Sequence, residues 1–315
     1  MFRILLVVML LSLCTVTSCG PAVQDPYAVP QNANVEDVLA FIERIEEMQP
    51  TTTREVNTHQ IKGPVAVRHA SDEILSIEND ATSAAFRKAL LYRVSSIGSD
   101  TRQRQRETLE YVKAHLAATA NLTGDELAIA ESTARSLESS THRGSKALAA
   151  EAYLEFSKVF AGLTPKAVQF EGVHRRLTLV GKPFQFQGVD LAGNEIDMES
   201  LKGSVVLFDF WATWCEPCLR EIPNVRRNHR KYSSRGFAVV GVSLDQNIAL
   251  LESFVKTNEI PWPTVAAYKG DTHPSLDRYG VLTIPQMIVV GRDGNVLATD
   301  VHGQALSEIL ARQFR

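Results

Sequence analysis

Cys215 and Cys218, in Trp214-Cys215-Glu216-Pro217-Cys218, are the residues whose type and spacing best suit chemistry in this chain. An apolar run from Val205 through Phe208, then Asp209-Phe210, precedes them, and an amphipathic stretch follows. Read as strand, turn and helix, that order sets the first sulfur at a helix N-terminus. There, unpaired N–H groups and the helix dipole stabilise a thiolate. The spacing lets one sulfur attack an external disulfide while the other, one turn along, resolves the mixed disulfide. The pattern points to redox chemistry. Zinc is the competing chemistry, but a closed site takes about four ligands. The other two cysteines, Cys14 and Cys19, lie in the first twenty residues, and no second Cys pair or close His pair completes a shell. A buried structural disulfide is the other alternative, although this spacing at a helix start makes a bond easy to reduce. No metal and no cofactor is expected.

The elements that must position this pair come from a chain of 315 residues, long enough for about two domains. A hydrophobic content of 44% supports a packed core, and a net charge of −3 argues against nucleic acid as a partner. Nothing reads as a Gly-rich nucleotide loop. Met1-Phe2-Arg3 is weakly positive, and Ile4 to Leu13 is an apolar run of signal-peptide length, too short to span a bilayer comfortably. Val16-Thr17-Ser18-Cys19-Gly20 resembles the lipobox of bacterial lipoproteins. By that resemblance residues 1–18 are a signal peptide, and Cys19 carries lipid on a new N-terminus. Loss of Cys14 would leave three cysteines in an exported protein, and a thioether at Cys19 accounts for the odd one. An ordinary signal peptide with an incidental Cys is the alternative.

Residues 19–34, with Pro21, Pro26 and Pro30, read as an extended tether. Residues 35–165 read as a helical domain. Val35, Val38, Leu39, Ile42 and Ile45 recur at helical spacing and stop before Pro50. Residues 50–70 look irregular. From Ser71 to Leu163, Ala-rich segments suggest three or four antiparallel helices with breaks near 98–100, 121–124 and 139–144. His69, His115 and His142 are scattered and read as surface or capping residues. Residues 162–173 read as a linker. Strand grammar then begins around 182–191, with a turn at Ala192-Gly193-Asn194. The strand at 204–210 is apolar enough to be buried on both faces. A second strand at 236–242, a helix at 247–258, a hairpin around Asp293-Gly294 and a closing helix through Leu306, Ile309 and Leu310 follow. This succession predicts a mixed α/β sandwich.

Residues 176–315 resemble the thioredoxin fold, and within it the membrane-tethered thiol–disulfide oxidoreductases of the TlpA and ResA type. The matching residues are Phe210 to Cys218, then Glu221, Pro223, Tyr279-Gly280-Val281, Ile284-Pro285 and Asp293-Gly294. Ile260-Pro261-Trp262-Pro263, after the 247–258 segment, fits that group better than plain thioredoxin. The implied architecture is α/β, a thioredoxin-like central mixed sheet flanked by helices and preceded by an all-α domain.

The resemblance implies roles residue by residue. Cys215 is the exposed nucleophile, and Cys218 the more buried resolving thiol. Glu216 and Pro217 tune the pair, the carboxylate opposing thiolate formation. Pro285 is the cis-proline facing the disulfide, with Ile284 offering its backbone to substrate; a trans bond at a strand start is the alternative. Trp211 and Trp214 form an apolar rim. Asp209 stands where thioredoxin carries its buried acid, whereas many tethered relatives have Asn. It is either a proton acceptor for Cys218 or a hydrogen-bonded strand-end residue. Glu221 matches a second acid of the ResA-type pattern, or is an ordinary helix carboxylate. Pro223 resembles the fold's kinking proline.

The implied protein is a lipid-anchored, extracytoplasmic disulfide reductase of a bacterial membrane, facing the periplasm. Client proteins with disulfides, among them apocytochromes in the resembling families, would be its substrates. An oxidising compartment holds no local thiol pool, so a membrane thiol donor is implied. A thiol peroxidase would need Pro at Phe208 and Thr or Ser at Ala212. A binding or scaffold protein, with the helical domain as its working part, is the other alternative.

Overall fold

The computed structural model describes residues 25–267 and 273–315. The apolar leader, Cys14, the lipobox-like Cys19 and the first part of the tether lie outside the described residues. The chain divides into two compact units between Glu73 and Ile74.

The first unit holds helix α1, Val35–Glu46, and most of α2, Thr53–Ile77. Asn34 caps α1 by accepting the Asp37 N–H at 2.9 Å. Val38, Phe41, Ile42 and Ile45 are its buried face, the periodicity read from the sequence with Phe41 added. The irregular segment predicted at 50–70 is instead the start of α2. Thr52 and Glu55 cap it reciprocally: Glu55 N–H donates to Thr52 Oγ1 at 3.2 Å, and Thr52 N–H to Glu55 Oε2 at 3.0 Å. Pro64 lies inside this helix. No helix among the described residues is long and apolar enough to cross a membrane.

The second unit continues with α3 (Ala84–Ser96), α4 (Arg102–Ala118), α5 (Gly124–Ser139), α6 (Ser145–Val159) and α7 (Lys166–Leu177). The helix breaks fall where the sequence placed them. Leu109, Val112 and Leu116, then Leu148, Tyr153, Phe156 and Phe160, are buried as their spacing requires. His115 is buried rather than superficial, with Nδ1 2.7 Å from the Ala81 carbonyl.

The linker predicted at 162–173 is the helix α7. Ala167, Phe170, Val173 and Arg176 form its buried stripe. It packs against α10, Pro274–Arg278, through two glycines. A Cβ at Gly172 would stand 2.0 Å from the Asp277 carbonyl oxygen, and one at Gly280 would stand 2.3 Å from the Val173 nitrogen. Only backbone fits at this contact, so the helical segment is seated directly on the residues that lead to Pro285.

The remaining elements are β1 (Gln187–Val189), β2 (Glu195–Asp197), β3 (Val205–Trp211), α8 (Glu216–Tyr232), β4 (Phe237–Ser243), α9 (Ile248–Thr257), β5 (Thr264–Ala266), β6 (Gln286–Val290), β7 (Val296–Thr299) and α11 (Gly303–Gln313). The main sheet has the order β5-β4-β3-β6-β7. Strands β3, β4 and β5 run parallel, and β6 and β7 are antiparallel to their neighbours. This is the thioredoxin-like mixed sheet expected from the sequence. Every residue of the central strand β3 is buried. Its alternation splits the core. Val206, Phe208 and Phe210 join Phe184, Tyr279 and Ile288 on one face. Val205 and Leu207 meet Val225, Tyr232, Leu306 and Leu310 on the other. Phe184 lies 4.5 Å from Phe208 and 4.7 Å from Tyr279 by ring centroid, contacts worth about 0.5–1.5 kcal/mol each beyond their area.

Candidate active site

Cys215 is the N-cap of α8, at the point where β3 and its short turn end. The turn is held by Asp245, which follows β4. Its carboxylate accepts the Thr213 N–H at 2.9 Å and the Thr213 hydroxyl at 2.5 Å, and it also accepts the Ser243 hydroxyl at 2.7 Å. A buried carboxylate with three donors is strongly anchored, so the residue before Trp214 has one position. Neither Asp245 nor Ser243 carries a local sequence signal. Their contribution depends on β3 and β4 lying side by side.

Cys215 and Cys218 are joined by a disulfide with an S–S distance of 2.05 Å. The Cys215 sulfur also accepts the Cys218 N–H at 3.3 Å. One of the four orphan donors of the α8 N-terminus is therefore aimed at the sulfur that would bear charge after reduction. The expected contrast in exposure is corrected here: Cys215 is 5% and Cys218 3% exposed, so both are buried in the disulfide form. Trp211, Ala212, Leu251 and Ala266 form their immediate apolar surroundings, with Ile284 packed against that cluster. Of the two expected rim tryptophans, Trp211 is in this cluster, whereas Trp214 is 67% exposed and presents its ring to solvent.

Glu216 and Pro217 are exposed in the first turn of α8. Glu216 pairs with Arg220 at 3.1 Å, an exposed pair that offsets part of its repulsion toward a thiolate. The peptide bond between Ile284 and Pro285 is cis. Pro223 lies inside α8, as expected.

Asp209 is 4% exposed, its Oδ1 has no hydrogen-bond partner among the described residues, and strand alternation puts it on the face that α8 and α11 cover. Burial pushes its pKa up from 3.8 to about 7, with the charge of His302 pulling it down and that of Glu221 pushing it up. Its lateral neighbour on β4 is Gly241, and a Cβ there would stand 3.0 Å from the Trp211 indole nitrogen, which has no partner among the described residues. Trp211, two residues along β3, is on the same face of the sheet as the acid.

Glu221 does not have the geometry of a merely solvated carboxylate. It is half-buried and accepts the Gly303 N–H at 2.9 Å, at the N-terminus of α11. It thereby ties α8 to α11 and faces the positive end of a helix dipole. His302, which the sequence reading passed over, immediately precedes that glycine. Its Nε2 lies 3.3 Å from Asp300 Oδ1, and its buried Nδ1 has no partner among the described residues. The hydrogen bond to Asp300 raises the His302 pKa against burial, with the charges of Glu221 and Asp209 adding to the rise. The arrangement is a buried acid, a capping acid and an imidazole whose charges act on one another, with the two acids on the strand and helix that flank the Cys pair.

Residues 180–299 match a family model described as the AhpC/TSA family. A thiol-disulfide oxidoreductase ResA from Bacillus thuringiensis subsp. konkukian is 29% identical over 130 residues, 41% of this chain and 73% of the relative. The protein of the same name from Bacillus anthracis is 30% identical over 124 residues, 39% of this chain and 70% of the relative. This chain belongs to the ResA family of thiol-disulfide oxidoreductases. Among solved structures, the thioredoxin domain of a Bacteroides vulgatus thiol-disulfide oxidoreductase is 26% identical, with a TM-score of 0.41, and covers 43% of this chain and 98% of that one. As a ResA-family member the protein is an enzyme of thiol–disulfide exchange. Phe208 and Ala212, standing where a thiol peroxidase pattern requires Pro and Thr or Ser, are fully buried core residues. The family model starts at residue 180, so α1 to α7 fall outside it.

Proposed function

We propose that this ResA-family protein reduces disulfides of client proteins outside the cytoplasm, held at a bacterial membrane by lipid on Cys19. The observation that carries the chemistry is the disulfide at the N-cap of α8, with the Cys218 N–H directed at the Cys215 sulfur. Residues 176–315 carry the reaction. In the reduced enzyme, the Cys215 thiolate attacks one client sulfur. A mixed disulfide forms and the other client sulfur leaves as a thiolate, which takes a proton. Cys218 then loses its proton and attacks the Cys215 sulfur. The second client thiol departs, and the Cys215–Cys218 bond of the present structure is regenerated. Two electrons pass to the client. A membrane dithiol restores the pair by the same exchange in reverse.

Asp209 accepts the Cys218 proton in this scheme. A carboxyl with its pKa near 7 is poised to take and return a proton at neutral pH, where an ordinary Asp would be too weak a base. Burial sets that poise, with the charge of His302 lowering the pKa and that of Glu221 raising it. Trp214, Glu216, Pro217, Ile284 and Pro285 form the surface that meets the client. The ResA resemblance extends the client class to apocytochromes.

Two experiments test the proposal. Cys215→Ser should abolish exchange, whereas Cys218→Ser should trap clients as mixed disulfides, because Cys215 can still attack. Equal trapping by both variants would overturn the order of attack. For the anchor, Cys19→Ser should release the protein from membranes or leave its leader uncleaved. Stable binding needs more than one acyl chain, so the N-terminal peptide should carry that mass. Unchanged fractionation without acyl mass would remove the lipid claim.

A further inference from the structure

The helices outside the family match line a cleft that ends at Pro285. It has a volume of about 380 Å³, with Pro285 and Gln286 at one wall and Arg135, Glu138, Tyr153 and Arg176 at the other. The two walls come from different parts of the second unit. Pro285 and Gln286 lead into β6, whereas the other four come from α5, α6 and α7. Ile284, between the lining residues Thr283 and Pro285, packs against the cluster containing both cysteines. One residue thus joins the cleft to the surroundings of the disulfide.

Its far wall is fixed in place. Tyr153 donates its hydroxyl hydrogen to Glu138 Oε2 at 2.9 Å, Arg176 donates to Glu138 Oε1 at 2.8 Å, and Arg176 Nε donates to the Tyr279 carbonyl at 3.1 Å. That chain ties three helices to the segment just before the cis-proline. The backbone contact between Gly172 and the Asp277–Gly280 turn locks the same helices from behind. Lys146 of α6 adds an ion pair with Asp300 at 3.0 Å, and Asp300 also lines the cleft. Its acidic and basic groups are thus largely engaged with one another.

The near wall holds a group that is not satisfied. Gln286 is 4% exposed and its amide nitrogen has no hydrogen-bond partner among the described residues. A buried amide without an acceptor is destabilising. This sealed donor lies at the lining of the cleft, and it meets an arriving carbonyl oxygen once the Gln286 side chain turns outward. The balanced charge of the far wall argues against a strongly acidic or basic ligand.

We infer that α5, α6 and α7 build half of a client-binding cleft, which takes an uncharged, extended polypeptide segment flanking the client cysteine, with a backbone carbonyl accepting from Gln286. This rests on the reading of Cys215 and Cys218 as the exchange centre. It gives the helical region a role in selecting clients by their backbone and shape, rather than a role as spacer.

The test uses the intact, reduced protein and two probes. One is N-acetylcysteinamide and the other a nine-residue uncharged peptide with a central cysteine, each carried as its mixed disulfide with thionitrobenzoate. Release of the coloured thiolate reports attack by the protein thiol, and the ratio of the two rate constants isolates what the flanking residues contribute. The peptide should react about tenfold faster, the equivalent of roughly 1.4 kcal/mol. Ser139→Trp, at an exposed position lining the cleft, should bring the ratio close to one. Gln286→Leu should lower the ratio severalfold while raising stability, since it removes an unpaired buried donor. A ratio near one in the unaltered protein, or the same ratio in all three proteins, would overturn the inference. Failure of the unaltered protein to react even with N-acetylcysteinamide would instead overturn the exchange reading on which it rests.

Discussion

At the scale of single residues, Asp209 carries the sharpest expectation. The unfolded chain ionises this carboxyl near 3.8, whereas the folded protein holds the proton until about pH 7. Between these values the folded state binds the extra proton, so stability falls as pH rises and levels off above about 7. Asp209→Asn should remove that slope. The variant's gain in unfolding free energy should be small near pH 4 and largest above pH 7, a few kcal/mol at most from a shift of this size. Denaturant melts at several pH values check it. The same substitution should slow resolution by Cys218 near neutrality, within the roughly 10²–10⁴-fold range of general-base help or less if water substitutes. Glu221→Gln should cost less in rate, since Glu221 is committed to the Gly303 N–H. A larger loss in Glu221→Gln would move the base to that residue. The Cys pair and Asp209 were legible in the sequence because a local pattern, apolar strand then Cys-x-x-Cys, marks them. Asp245 and His302 were not, because each acts through a neighbour brought close only by the sheet and by α11.

At the scale of elements, strands were easier to read than helix edges. The central strand and β4 lie within a residue of where their apolar runs put them, because a strand buried on both faces has little freedom to be anything else. Two helical stretches that the sequence pattern presents as irregular chain, the first half of α2 and the whole of α7, share a cause. Each contains a glycine, Gly63 or Gly172, and few large apolar residues. Such a segment reads as a linker, although the Thr52–Glu55 capping pair was a usable signal for α2. In α7 the glycine is the point of the helix, since it allows backbone contact with the turn after α10. Gly172→Leu should therefore be destabilising by at least the ~1–3 kcal/mol typical of overpacking, with a clear fall in melting temperature. A variant as stable as the parent would mean that this contact does not hold the helices in place.

At the scale of the whole molecule, a family enzyme is joined to helices that the family match does not include. Cys215-Glu216-Pro217-Cys218 stands at the start of α8, and the buried acid Asp209 is on the strand that leads to it. The helices contribute the opposite wall of the cleft beside Pro285. Direction of electron flow belongs to this scale, because it depends on the pair's potential against the compartment rather than on any one contact. Glu216 beside Cys215 disfavours the thiolate, and its exposed pairing with Arg220 only softens this. A less acidic nucleophile makes the reduced form less stabilised and the couple more reducing. The direct measurement is the midpoint potential of the Cys215–Cys218 pair in the intact protein, by equilibration with thiol–disulfide buffers at pH 7. A reducing enzyme requires a value of roughly −220 to −300 mV. A value near the roughly −120 mV of strong oxidants would contradict the account and make the protein a donor of disulfides.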